Sequence, residues 1–279
     1  MKAVEPIATV ALFPGLSAAL LDVLKALPRP AWDNETACAG WTVQDIVAHL
    51  LGGNVGRLSF GRDQLRLRDG RAFPSDYTAQ VAFIDQLNAE WVTTARRLSP
   101  PLLIDFLTTT DAQLYHYFNG LPPLAPSGIA VTWAGDTQSP NWFDIAREYT
   151  EKWLHQQHIR EAVGAPLLTE RKWLFPVLDT FLRALPYTYR TVVAPEGTTI
   201  TFHIAGEAGG DWSLQRSDGQ WHLLAGAAPA AVATAALDQD WAWRLFTKGV
   251  SPSAAGLQIE TTGDATLALG ILQMVSIMA

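Results

Sequence analysis

The sequence predicts a two-domain chain of α plus α/β character: an antiparallel helical bundle over residues 1–180, then a small α+β domain over 181–279. Three observations predict it. The first two-thirds carries apolar residues at helical spacing, interrupted by Pro and Gly breakers, which implies short-looped helices packed side by side. After Leu185-Pro186 the texture shifts to short alternating runs with turn signals. And 279 residues, 48% hydrophobic and 17% charged, suffice for one or two ordinary cores and lack the signature of disorder.

Leu16 to Leu27 repeats apolar residues at helical spacing and stops at Pro28 and Pro30. Thr42 stands as an N-cap before VQDIVAHLLGG, where Val43, Ile46, Val47, Leu50 and Leu51 form a core-facing stripe. The helix ends at Gly52-Gly53 or packs closely through those glycines. A third helix spans Tyr77 to Leu98, a fourth Pro101 to Asn119, and GLPPLAPSG is a loop. The fifth runs from Asn141 to Gly164, with Pro166 beyond its stop. The domain boundary falls in 176–190. TYRTVVAPEGTTITFHIAG then alternates in strand fashion, and DWSLQRSDGQWHLLAG is a hairpin about Ser217-Asp218-Gly219. Helical texture returns in AALDQDWAWRLFTKG, followed by a short strand near Leu257–Thr261 and a last helix from Asp264.

Several function classes are excluded or disfavoured. No apolar run approaches the ~18 residues of a membrane span, and Glu5, Pro14, Asp22 and Lys25 interrupt the N-terminal segment, which reads as folded protein and not as a signal peptide. Cys38 is the single cysteine, so no intrachain disulfide forms and a cytoplasmic location is expected. Nothing basic neighbours Cys38 in sequence, and it reads as inert. A net charge of −7 argues against nucleic acid. The run with Arg62, Arg66, Arg68 and Arg71 is diluted by Asp63 and Asp69 and reads as a solvated helix end. The expected partners are small molecules, with the chain a monomer or a homodimer.

Chemistry concentrates in EYTEKWLHQQHIREAVG. Glu151 and His155 stand at i and i+4 and share a helix face, and His158 falls on the same side. Trp142, Ala146, Tyr149 and Trp153 form the opposite, core-facing stripe. The polar side is either a solvated face or one wall of a metal site. His49 lies in line with Asp45, Gly52, Gly53 and Gly56, either beside a cleft or merely at a helix end. If His49, Glu151 and His155 converge, they make a two-imidazole, one-carboxylate set with a fourth position open, suited best to zinc and also to nickel, iron or manganese. His158 then orients a ligand, acts as a base or replaces one donor. His116, His203 and His222 read as structural. There is no nucleophile elbow, phosphate loop, HExxH motif or dinucleotide loop.

The motifs VQDIVAHLLG and DIAREYTEKWLHQQHIREAVG, in that order and after a Trp-containing loop, resemble the mycothiol-dependent maleylpyruvate isomerase family. The resemblance implies a DinB-like, metal-binding antiparallel four-helix bundle followed by a small sterol-carrier-like α+β domain, which DWAWRLFTKG and the C-terminal IETTGDATLALG segment match. It implies His49, Glu151 and His155 as metal ligands, and a low-molecular-weight thiol such as mycothiol as cofactor. Deprotonated by the metal, that thiol would add to an activated double bond and be expelled after rotation, or remain attached as in S-transfer. The resemblance also implies an arginine for an anionic substrate, with Arg244 the candidate and Arg147 and Arg160 its rivals. His158 stands where many relatives carry an acidic residue. Two other classes stay open: a non-enzymatic lipid- or small-molecule-binding module whose pocket Trp212, Trp221, Trp241 and Trp243 would line, and a metal-dependent hydrolase.

Overall fold

The computed structural model describes residues 1–66, 74 and 77–277. Arg68, Asp69 and Arg71 of the basic run lie outside them. Two compact units divide the chain: a helical one, Ala8–Ile129 with Gln138–Leu168, and a sheet unit built from Met1–Ile7, Ala130–Thr137 and the chain from Thr169 onward.

The helical unit contains α1 (Phe13–Ala26), α2 (Val43–Gly56), α3 (Tyr77–Ala95), α4 (Pro100–Asn119) and α5 (Asn141–Val163). Leu20, Leu21 and Leu24 of α1, the Val43–Leu51 stripe of α2, Leu103 and Leu107 of α4 and Ile159 of α5 close one core. Gly164, left-handed at φ 66°, ends α5 where the sequence predicts. On the polar side of α5, which spacing leaves as either a solvated face or one wall of a site, Asp144 and Glu148 are buried while Glu151 stays partly exposed.

α2 does not stop at Gly52-Gly53. It continues to Gly56 and passes into a π-helical stretch, Arg57–Arg62. Gly52 is a packing residue: a Cβ there would lie 2.5 Å from Cδ1 of Trp91, whose indole crosses α2 to donate to Ala48 O at 2.7 Å. A Cβ on Gly53 would meet only Glu148 Oε1, at 3.9 Å.

In the sheet unit, β1 (Lys2–Ala3), β2 (Thr199–Ala205), β3 (Gly210–Ser217), β4 (Gln220–Ala225), β5 (Ala233–Asp238) and β6 (Glu260–Gly263) form one sheet of order β1-β4-β3-β2-β5-β6. The β3–β4 hairpin turns on Asp218 and Gly219, both at positive φ, as the Asp-Gly signal requires. β2 and β5 pair in parallel. The helical texture expected of AALDQDWAWRLF therefore divides: its first residues complete β5, whose alternate side chains are buried, and only Gln239–Phe246 is helical. Pairing with a buried central strand outweighs the helix preference of alanine.

Among the described residues, five α-helices accompany the sheet: α6 (Arg171–Leu182), α7 (Leu185–Thr188), α8 (Gln239–Phe246), α9 (Pro252–Gly256) and α10 (Ala265–Leu269). α6 belongs here and not with the bundle, so the units divide at 168/169 instead of 180/181. Its buried Phe181 meets Phe246 of α8 edge-on at 6.3 Å. Trp212, Trp221 and Trp243 are each at most 4% exposed. The first two also spend their indole N–H on Asp179 and Val192, so these three rings are packed in the core, while Trp241 is partly exposed.

Gly52→Ala is expected to destabilise the protein by about 1–3 kcal/mol, because the added methyl has no space beside a rigid indole. Gly53→Ala, with room and a helical backbone, should instead stabilise by about 1 kcal/mol. Urea midpoints of the two variants test this opposition.

Candidate metal centre

α2 is started and aimed by a reciprocal cap. Thr42 Oγ1 accepts from Asp45 N at 3.3 Å, and Asp45 Oδ2 accepts from Thr42 N at 3.1 Å. Arg96 closes the arrangement as a fork, Nε to Oδ1 at 2.9 Å and Nη2 to Oδ2 at 3.1 Å. Burial pushes the Asp45 carboxyl up, but Arg96 and Thr42 outweigh it and hold the group below its ordinary value. One turn further on, His49 leaves the helix beside the Trp41 ring, with centroids 5.1 Å apart.

α5 supplies the other wall. Oε1 of Glu151 lies 2.9 Å from His49 Nε2 and 3.0 Å from His155 Nε2, and the two imidazole rings stand edge to face at 4.6 Å. The sequence-predicted trio thus comes together, its donor atoms all within 4.8 Å of one another. The His49 and His155 side chains are about nine-tenths covered, while Glu151 keeps 34% of its side chain exposed, so the cluster opens on the Glu151 side. For Glu151, burial opposes ionisation, but the charge of His155 and hydrogen bonds from both rings hold it well below the carboxylate range. For His155, burial pulls downward and is overcome mainly by Glu151, then by Cys38, leaving it at about 10.

The donor chemistry suits a divalent ion of zinc type. Zinc takes imidazole nitrogen at about 2.0–2.1 Å and carboxylate oxygen at about 2.0–2.2 Å, which sets tetrahedral donor edges of about 3.4 Å. The observed separations are hydrogen-bond lengths a few tenths of an ångström shorter, and a small opening accommodates an ion. His49 Nδ1 is buried without a hydrogen-bond partner, so packing against Trp41, not a second hydrogen bond, orients that ring.

Ion pairs on both sides of the cluster tie α5 to its neighbours. Arg57 Nη2 donates to Asp144 Oδ2 at 2.6 Å, and Arg147 Nη2 donates to Asp144 Oδ1 at 3.1 Å and Glu148 Oε2 at 2.9 Å. Lys152 Nζ donates to Asn54 Oδ1 at 2.6 Å and Asp111 Oδ1 at 3.0 Å, linking α5 to α2 and α4. Arg160 donates to the carbonyls of Pro166 and Ala19, a structural use.

His158 Nδ1 is 3.4 Å from His155 Nδ1. Burial, then the charge of His155, lower it to about 4, so it is neutral near pH 7. Cys38, which reads as isolated in the sequence, stands 3.2 Å from His158 Nδ1 and 4.0 Å from His155 Nδ1. No local signal announces that contact, since about 120 residues separate its members. Arg244 lies on α8 of the sheet unit, its guanidinium 4.1 Å from the Trp243 ring centroid and its Nη1 donating to Asp240 O.

The family model of the mycothiol maleylpyruvate isomerase N-terminal domain matches residues 13–160, more than half of the chain. The chain belongs to that family. Its fold is that of two solved structures. A histidine-to-alanine mutant of the mycothiol-dependent maleylpyruvate isomerase aligns at TM-score 0.55 and 11% identity, covering 94% of this chain and 96% of that one. The mycothiol-dependent maleylpyruvate isomerase itself aligns at 0.53 and 12%, covering 88% and 91%. No curated protein sequence matches the chain. The matched segment of this mycothiol maleylpyruvate isomerase family member contains every donor of the cluster.

The Asp45 cap yields a prediction about the foundation of the site. Asp45 ionises more readily when folded than when unfolded, so its contribution is complete above 3.8, its ordinary value, and is lost as pH falls through the lowered folded value. Asp45→Asn should cost about 1–2 kcal/mol at pH 7, and the deficit should shrink on acidification. Urea titrations of both proteins at pH 7 and pH 3 measure it.

Proposed function

We propose that the protein is a metal-dependent enzyme, with zinc the best-suited ion, that uses a low-molecular-weight thiol such as mycothiol to isomerise a small, electrophilic, anionic substrate or to join the thiol to it through sulfur. The observation that carries this reading is the meeting of His49, Glu151 and His155 around one partly open point, in a chain of the mycothiol maleylpyruvate isomerase family. Zinc held by these three would leave one position free and make a thiol bound there a thiolate near neutral pH.

The remaining work falls to side chains of this chain. His49 and His155, anchored on different helices, fix where the reacting sulfur stands. Glu151 contributes one negative charge, so a divalent ion held by the set and carrying the thiolate would have no net charge, and attraction of an anionic substrate must come from other side chains. His158, neutral by burial and 3.4 Å from His155, is proposed to orient that ligand, or to act as the base once an ion has displaced the charge of His155 that holds it low. Arg244 is proposed as the anchor for the substrate carboxylate, a use its planar fork suits. The Trp41 ring beside His49 screens that ligand from water.

Purified protein is expected to hold about one equivalent of zinc, and His49→Ala and His155→Ala should each release it and abolish thiol-dependent isomerisation. Elemental analysis, with activity assayed with and without added thiol, is the test. Folded wild-type protein that recovers no metal-dependent activity when zinc and thiol are supplied would overturn the reading, and activity that needs metal but no thiol would make it a hydrolase. A pH dependence accompanies this. With His155 at about 10 in the free protein, an ion binding at pH 7 must expel its proton. Affinity should therefore strengthen by about tenfold per pH unit between pH 6 and 9, as read by chelator competition.

A further inference from the structure

The geometry points to a second metal position, formed by Cys38 Sγ, His155 Nδ1 and His158 Nδ1 on the opposite edge of the His155 ring. It is distinct from the first set and takes a thiophilic transition-metal ion. Cys38 Sγ lies 3.2 Å from His158 Nδ1 and 4.0 Å from His155 Nδ1, and the two nitrogens are 3.4 Å apart. Tetrahedral zinc, with bonds of about 2.3 Å to sulfur and 2.0–2.1 Å to nitrogen, requires sulfur–nitrogen edges of about 3.5 Å and a nitrogen–nitrogen edge of about 3.4 Å. This triangle therefore already has nearly the dimensions a bound ion imposes, whereas the two edges from Glu151 to His49 and His155 are shorter. His155 is largely covered, while Cys38 and His158 are partly exposed.

The surroundings fit ligation through Nδ1. A neutral imidazole has one nitrogen free to bind an ion and carries its proton on the other. When His155 binds through Nδ1, its Nε2–H faces Glu151 Oε1 at 3.0 Å. Glu151 then changes from a ligand into the acceptor that orients a ligating ring, a recurrent carboxylate–imidazole–metal arrangement. A neutral His155 ring has one nitrogen free and so serves one of the two positions at a time. Sulfur makes the second softer than the first, which favours thiophilic ions such as copper(I), zinc or cadmium over oxygen-seeking ones. Its occupation removes both His155 and His158 from the proposed active arrangement.

Cobalt(II), added to metal-free full-length protein in thiol-free buffer, tests the proposal by absorption, without reference to activity. The expected result is a near-ultraviolet sulfur-to-cobalt charge-transfer band in the wild-type protein. It should be stronger in His49→Ala, where the competing set is broken, and absent in Cys38→Ser. His158→Ala should weaken band-forming cobalt binding about tenfold or more. Cobalt binding without the band in both wild type and His49→Ala overturns the proposal, and so does a band that survives Cys38→Ser. The site does not rest on the isomerase reading: His49→Ala breaks only the first set, so the band and the thiol-dependent activity fail separately.

Discussion

A single carboxylate oxygen, Oε1 of Glu151, lies between two imidazole nitrogens carried by different helices, and much of the helical unit is arranged so that α2 and α5 can keep it there. Ionised groups removed from water are costly unless paired, and removing one partner costs more than the pair is worth. The polar side of α5 is arranged accordingly. Asp144 and Glu148 answer Arg57 and Arg147, Glu151 answers His49 and His155, and Lys152 answers Asp111. Several of these pairs cross from α5 to another helix, so the same contacts that neutralise charge also fix the spacing at which His49 meets Glu151.

The approach of α2 to its neighbours depends equally on missing side chains. Trp91 lies flat across the position a Cβ of Gly52 would fill and donates to a carbonyl within α2. Gly53 turns toward Glu148. Glycine costs helix stability of about 1 kcal/mol relative to alanine, and at Gly52 the indole packing offsets it. The capping box at Thr42, locked by Arg96, determines where the helix starts and therefore which turn presents His49.

What the sequence made legible was local. Helical spacing, the Thr42 cap, Gly164 after α5 and the Asp218-Gly219 turn each depend on a few neighbouring residues, and each stands in the structure near where spacing predicts it. The i, i+4 relation of Glu151 and His155 was legible for the same reason. The environment of the polar side of α5 was not, because periodicity reports which residues share a face and not whether that face meets water or Arg57. The alanines of β5 failed for the converse reason: helix preference is local, while the parallel pairing with β2 that decides their state is not. Cys38 is the extreme case, since a thiol near a cap and two histidines 117 and 120 residues later share no pattern.

That long-range contact bears on how the proposed centre selects its ion. One ring, His155, shows Nε2 to an oxygen-bearing set and Nδ1 to a sulfur-bearing one, so the position of a single proton chooses between them. Once an arriving ion has expelled one of the two protons that His155 carries near pH 7, Glu151, a strong acceptor at 3.0 Å, favours keeping the other on Nε2 and leaving Nδ1 toward Cys38. An ion entering the first set must reverse this, displacing the Nε2 proton from its best acceptor and gaining in exchange the carboxylate and His49 as ligands. An ion entering the second keeps that hydrogen bond and gains a thiolate. Hard, oxygen-seeking ions recover the cost of reversal and thiophilic ions need not incur it, so the carboxylate that makes the first set possible also holds the second ready.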